Sequence, residues 1–300
     1  FLGILEIEQG RRRGMRLHFS KMHGIGNDYV YLNCMERAPA HPGRLSVLLS
    51  NRHFGIGSDG LVLILPSKKA DFQMRMFNAD GSEGRMCGNA SRCVAKYVYD
   101  TGLTQKTDIT LETLSGIKPI TMQIENGRVC RAQVDMGHAI LDPREIPVLC
   151  SGDHFVRQPL EVYGRTYYVT CVSMGNPHAV VFCEDIKSLD LEKLGPGFEH
   201  HPLFPDRINT EFAHILGKTE VEMRVWERGS GETFACGTGA CAVAVACVLE
   251  GVSPYGAPIT VHLKGGDLHI TYQKDGNVIM EGPASHVFDG EIEIEDSLYR

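Results

Sequence analysis

Short apolar or alternating runs, each closed by Gly, Asn, Asp or Pro, recur along the chain at 29–32, 61–65, 72–77, 109–112, 167–172, 179–182, 221–226 and 259–263. Runs of that length and punctuation predict β-strands. Asn126-Gly127 and Asp275-Gly276 predict hairpin turns, because these residue types tolerate the positive φ that a tight two-residue loop needs. Residues 88–99 and 238–249 break the pattern and read as helices. In the second, Ala240, Cys241, Ala242, Val243, Ala244, Val245 and Ala246 leave no polar face, which is the mark of a helix enclosed by protein. The expected unit is an α+β one: a mainly antiparallel sheet curled into a barrel around one central helix.

The pattern occurs twice. The segment from Met74 to Ala90 overlies that from Met223 to Gly239 without a gap, at an offset of 149. Over 74–104 against 223–253 eight positions are identical: Met74, Arg75, Glu83, Cys87, Gly88, Val94, Ala95 and Gly102. The same offset carries Gly26-Asn27 onto Gly175-Asn176 and Cys34 onto Cys183. Repetition on this scale predicts two homologous domains facing each other across a pseudo-twofold axis. Cys87 and Cys236 would then converge on the interdomain cleft, a common place for a ligand. The expected division is an N-terminal extension at 1–14, a first domain of 15–131 plus 282–300, and a second of 132–281.

Composition narrows the function classes. Hydrophobic residues at 43% and charged residues at 22% exclude a disordered or fibrous chain. A net charge of −7 offers no basic face to a polyanion, so nucleic acid is not an expected partner. Only 234–249 approaches the length of an apolar span, and Gly237, Thr238 and Gly239 interrupt it, so no membrane role is expected. The ten cysteines include no CxxC pair and read as reduced thiols of a cytoplasmic protein.

Two of those cysteines stand apart. Cys87 and Cys236 each precede a glycine where strand turns into helix, in both repeats. The unpaired amides of a helix N-terminus lower a thiol's pKa and bind a carboxylate. Two such ends facing each other would hold a substrate carboxylate and place one sulfur on each side of its α-carbon. A thiolate could then remove the α-proton while the opposite thiol delivers another. The remaining cysteines read as small hydrophobes. The spacings of Cys87 and Cys93, and of Cys236, Cys241 and Cys247, are not those of zinc ligands, so no metal is expected. Residues 55–60 match GxGxxG, yet a strand follows them rather than a helix, which argues against a dinucleotide cofactor.

At these residues the chain resembles the diaminopimelate epimerases. The matching segments are Phe19 to Asp28, Asn51 to Gly60, Phe77 to Glu83 with Met86-Cys87-Gly88-Asn89-Ala90, Ser173 to His178, Arg207-Ile208-Asn209, and Glu227 to Glu232 with Ala235-Cys236-Gly237-Thr238. The resemblance implies a cofactor-independent isomerase that interconverts LL- and meso-diaminopimelate in lysine and peptidoglycan precursor synthesis. It implies Cys87 and Cys236 as the acid/base pair. Gly88, Asn89, Gly237 and Thr238 would bind the carboxylate at the reacting centre. Asn27, Asn78, Asn176, Asn209, Glu227 and Arg228 would contact substrate, and His178 and Glu227 would tune the cysteines. Two departures stand out: Gly60 where many members carry Gln, and Phe288 where some carry a Tyr implicated in a homodimer contact.

Other readings differ at identifiable residues. A proline racemase-like enzyme has no need of a distal amino-acid site built from Asn78, Asn209 and Arg228. A phenazine-biosynthesis-type isomerase lacks the cysteine pair, and a non-catalytic amino-acid-binding protein has no use for one.

Overall fold

The computed structural model describes residues 14–299, so the extension expected at 1–14 lies, apart from Gly14, outside the described residues. The first half comprises β1 (Gly14–Gly24), β2 (Asn27–Asn33), α1 (Pro42–Ser50), β3 (Gly60–Leu65), β4 (Phe72–Asn78), β5 (Glu83–Gly84), α2 (Gly88–Asp100), β6 (Asp108–Thr113), β7 (Gly116–Glu125) and β8 (Arg128–His138). The second comprises β9 (Gln158–Val162), β10 (Arg165–Ser173), β11 (Pro177–Phe182), α3 (Leu191–Glu199), β12 (Asn209–Gly217), β13 (Glu220–Glu227), β14 (Gly231–Glu232), α4 (Gly237–Leu249), β15 (Pro258–Leu263), β16 (Gly266–Tyr272) and β17 (Asn277–Pro283). A last strand, β18 (Ser285–Glu295), returns to pair antiparallel with β1. A two-residue turn at Asn126-Gly127, both at positive φ, closes one hairpin the sequence predicts, and a longer loop, Gln273 to Gly276, closes the one predicted at Asp275-Gly276.

The repeat holds residue by residue. β2 and β3 run parallel with Tyr29 opposite Gly60, and β11 and β12 run parallel with His178 opposite Asn209. Both pairs differ by the sequence offset of 149. Shifting α1 and α2 by that offset reproduces the bounds of α3 and α4. Each half carries the same ion pair, Arg75 to Glu83 at 2.7 Å and Arg224 to Glu232 at 2.8 Å, which ties the middle of one strand to the short strand after it. The boundaries expected at 131/132 and 281/282 fall inside β8 and β17, which pair with each other, Val134 opposite Met280.

Burial explains the layers. Val94, Ala95 and Val98 of α2 and Val243, Ala244 and Val245 of α4 share one hydrophobic cluster with residues of the surrounding strands. The other face of the continuous sheet is covered in the first half by α1 over Leu17, Leu63 and Phe77, and in the second by α3 over Val169, Phe212 and Trp226.

α1 and α3 are helices that the hydrophobic pattern does not predict. α3 contains Gly195, Pro196 and Gly197, all poor helix formers. Tertiary packing overrides propensity here. A Cβ on Gly195 would lie 2.2 Å from the Trp226 ring, and one on Gly197 2.6 Å from the Tyr163 ring, so bare backbone is what lets α3 sit down. Buried Leu191 and Phe198 then fix it to the sheet.

Candidate active site

The two repeated cysteines cap equivalent helices. Cys87 is the N-cap of α2 and its sulfur accepts from the Ala90 amide at 3.5 Å; Cys236 is the N-cap of α4 and accepts from the Gly239 amide at 3.4 Å. Both have extended backbone, as the residue before a helix should. The remaining first-turn amides make no intrahelical bond and stay available to a carboxylate. The two helix ends meet at one side chain: a Cβ on Gly88 would stand 2.2 Å from Met280 Cε, and one on Gly237 3.2 Å from Met280 Sδ and 3.5 Å from Asn89 Oδ1. The flexible Met280 side chain thus fills the space in front of both glycines.

A cleft of about 1210 Å³ lies between the halves. Asn27 and Asn78 line it from one side, and Asn176, Asn209, Glu227 and Arg228 from the other. All six substrate-contact residues implied by the sequence resemblance at side-chain positions other than the helix ends thus share one space. The cysteines, Gly88, Asn89, Gly237, Thr238 and His178 are not among its lining residues. They lie behind Asn27, whose Oδ1 receives Cys87 Sγ at 3.5 Å and Asn89 Nδ2 at 3.3 Å, and behind Ala235. Asn209 donates to the Pro177 carbonyl at 2.7 Å and accepts from the Arg228 amide at 3.0 Å. Arg228 itself donates to the Asp206 carbonyl at 2.7 Å.

Around Cys236 the wall is charged. His178 Nδ1 lies 2.7 Å from Glu211 Oε1, His178 Nε2 lies 3.1 Å from Asn176 Oδ1, and Thr238 Oγ1 lies 3.5 Å from the sulfur. Thr233 donates to Glu227 Oε1. Among the described residues, His178, Glu211 and Cys236 are the group whose ligating atoms lie within 4.8 Å of one another, and a hydrogen bond joins the first two.

Burial reverses one expectation. The helix ends do not bring the thiols down in this structure: desolvation pushes Cys87 up, against the amides of Ala90 and Asn89 and the charge of Arg92. Cys236 is pushed well above the ordinary thiol range by burial, with Glu227 and Glu211 adding to the effect. Desolvation also raises the Glu227 carboxyl, opposed by Thr233 and His178.

Three residues escape a reading of motifs. Glu211 backs His178, Asp59 Oδ2 accepts from Asn27 Nδ2 at 2.8 Å, and Arg92 Nη2 donates to Asn89 Oδ1 at 2.9 Å. One signal for Glu211 was present: residues two apart on a strand share a face, so Asn209 and Glu211 point the same way.

The family model for diaminopimelate epimerase matches residues 19–141 and 170–287. The diaminopimelate epimerase of Acetivibrio thermocellus is 55% identical over 93% of this chain and 100% of its own. That of Desulfovibrio desulfuricans is 59% identical over 92% and 98%. Among solved structures, a hydroxyproline epimerase from Agrobacterium vitis superposes with a TM-score of 0.67 at 15% identity, covering 94% of this chain and 93% of that one. A PhzF-family phenazine biosynthesis protein from Bacillus anthracis gives 0.68 at 16%, covering 93% and 100%. At those identities the two structures share the fold alone.

Proposed function

The chain belongs to the diaminopimelate epimerase family, and from that premise we propose how its cleft interconverts LL- and meso-diaminopimelate in lysine biosynthesis. The observation that carries the reading is the pair of capping sulfurs on repeat-equivalent helices whose first turns meet at Met280.

The substrate's reacting carboxylate sits on the amides of Gly88, Asn89, Gly237 and Thr238, where two helix dipoles add. One of Cys87 and Cys236, as thiolate, takes the α-proton. The electron pair left on carbon delocalises into the carboxylate held by those amides. The opposite sulfur, as thiol, gives its proton to the other face, so one proton has left and one has arrived and the two sulfurs have exchanged states. The step calls for no cofactor. Asn27, Asn78, Asn176, Asn209, Glu227 and Arg228 hold the two amino-acid heads, since Asn offers donor and acceptor in one side chain and Arg pairs with a distal carboxylate. His178 and Glu227 tune the sulfurs. The same reading places the reaction in the cytoplasm, where thiols stay reduced. It also allows a homodimer through the half-exposed Val287 and Phe288 of β18.

Incubation with LL-diaminopimelate in D2O tests the proposal. Deuterium should enter at the α-carbon as the meso isomer forms, while proline and hydroxyproline remain unlabelled. Reduced, folded protein that leaves diaminopimelate unlabelled would overturn it.

A further inference from the structure

Arg92 is closed to solvent, and its recorded partners are all neutral. Nη2 donates to Asn89 Oδ1 at 2.9 Å, Nε donates to the Pro283 carbonyl at 3.1 Å, and Nη1 points at the Met280 sulfur 3.6 Å away. Backbone makes room for it: a Cβ on Gly24 would stand 3.0 Å from Nη2, and one on Gly282 3.2 Å from Nε. Burying a cation without a counter-charge is costly. The other half manages without one, for the repeat-equivalent position is Cys241, also fully buried.

The contacts form a chain of hydrogen bonds with one allowed sense. Arginine can only donate, so Asn89 turns Oδ1 toward it and Nδ2 away. That Nδ2 donates to Asn27 Oδ1 at 3.3 Å, and Asn27 Nδ2 in turn donates to Asp59 Oδ2 at 2.8 Å. A cation at one end and a carboxylate at the other fix both amides. As a result Asn27 faces Cys87 with its oxygen, 3.5 Å from Sγ. An oxygen accepts a thiol hydrogen and gives nothing to a thiolate.

The charged or titratable groups that bear on Cys87 are Arg92 and Cys93 on α2, Tyr29 and Tyr31 on β2, and Glu227 on β13. Arg92 is the cation among them. Its charge opposes the effect of burial on Cys87, whereas that of Glu227 reinforces it.

We propose that Arg92 is a positioning residue: it orients Asn89 and Asn27 over Cys87 and supplies the buried positive charge that holds the Cys87 sulfur as thiolate once its proton has left. Its purpose rests on the two-cysteine reading above, but its test does not.

Arg92→Gln keeps an NH2 for Asn89 and loses the charge, whereas Arg92→Lys keeps the charge. Reduced wild type and both variants are alkylated with iodoacetamide across the pH range without substrate, and adducts at Cys87 and Cys236 are followed by peptide mass spectrometry. The high-pH plateau reports access to each sulfur and the midpoint reports its charge. In Arg92→Gln the Cys87 midpoint should rise by about one pH unit, so labelling below it slows about tenfold, with Cys236 unmoved. Arg92→Lys should restore part of the shift. A purely structural Arg92 would lower the melting temperature and leave the Cys87 midpoint in place in both variants, and that result overturns the proposal. A chain that failed to exchange the diaminopimelate α-proton would still give this labelling result. An unmoved midpoint would likewise leave the wild-type exchange intact.

Discussion

Glu211 Oε1 lies 2.7 Å from His178 Nδ1, with both side chains closed to solvent and the Cys236 sulfur beside them. The carboxylate accepts the hydrogen of Nδ1, and on the other side of the ring Nε2 faces the Asn176 amide oxygen, an acceptor as well. Gly239 leaves the space for this arrangement, since a Cβ there would come within 2.6 Å of Oε1.

Glu211→Gln preserves volume and removes that control, because an amide can either donate to Nδ1 or accept from it. Losing one charge-assisted bond of about 1.5–3 kcal/mol predicts a fall in kcat of roughly tenfold to a hundredfold with KM little changed. Steady-state kinetics with LL-diaminopimelate check this; a raised KM at unchanged kcat would assign Glu211 to substrate binding instead.

Gly60 carries a steric constraint that bears on its departure from the family pattern. A Cβ at this position would stand 2.1 Å from the Phe77 carbonyl oxygen and 2.8 Å from Tyr29 Cε1. Strands β2, β3 and β4 are in register here, with Tyr29 and Asn78 as the partners of Gly60, so relief requires moving backbone that carries the site. Gly60→Gln should therefore not gain a substrate contact. It should cost about 1–3 kcal/mol, as overpacking does, and lower the melting temperature by several degrees. Thermal unfolding of Gly60→Ala and Gly60→Gln measures the effect, and a Gln variant as stable as the parent would contradict the packing argument.

How much was legible without coordinates follows from range. The Cys87 and Cys236 caps, the Asn27–Asn176 equivalence and the all-apolar α4 are local patterns repeated at one offset, and they survive intact. α1 and α3 were hidden because their glycines matter only against partners far away in sequence, Gly43 against the Gly81 backbone and Gly195 against the Trp226 ring. Arg92, Asp59 and Glu211 were hidden for a related reason. The type of a charged residue and its sequence neighbours say nothing about which amide or imidazole it will meet. The repeat did contain a clue: the halves differ where His178 overlies Tyr29, Glu211 overlies Val62 and Arg92 overlies Cys241. The surroundings of the two sulfurs differ where the symmetry fails.

Glu227 links the site to pH-dependent stability. Burial raises its carboxyl from the ordinary 4.5, despite the Thr233 hydrogen bond and the nearby His178. The folded state then binds this proton more tightly than the unfolded chain does. Its contribution is fully present below the unfolded pKa and is lost as pH rises through the folded one. Glu227→Gln removes that loss, so the variant should gain stability relative to the parent as pH increases from about 4.5 upward. On the proposed function the same change removes a substrate contact and should lower activity. Urea unfolding of both proteins from acid to neutral pH reads the difference, and parallel stability curves would mean that Glu227 ionises at no cost in the fold.

Reversible oxidation tests the convergence of the two helix ends. Met280 packs against the first turn of both α2 and α4, and each sulfur sits at the cap of its helix. A disulfide needs the sulfurs about 2.05 Å apart, so forming the bridge requires the two caps to come together across the cleft. Two thiols would yield the bond, two protons and two electrons, the electrons passing to an added oxidant such as diamide. Loss of both the acid and the base should abolish epimerisation, and a dithiol should restore it. Cys150 is exposed and would react as well, so Cys150→Ser removes that background. Peptide mapping should then join Cys87 to Cys236, with buried Cys34, Cys93, Cys171, Cys241 and Cys247 left as thiols. Full activity in protein whose Cys87–Cys236 bridge is mapped as complete would exclude the two-sulfur mechanism.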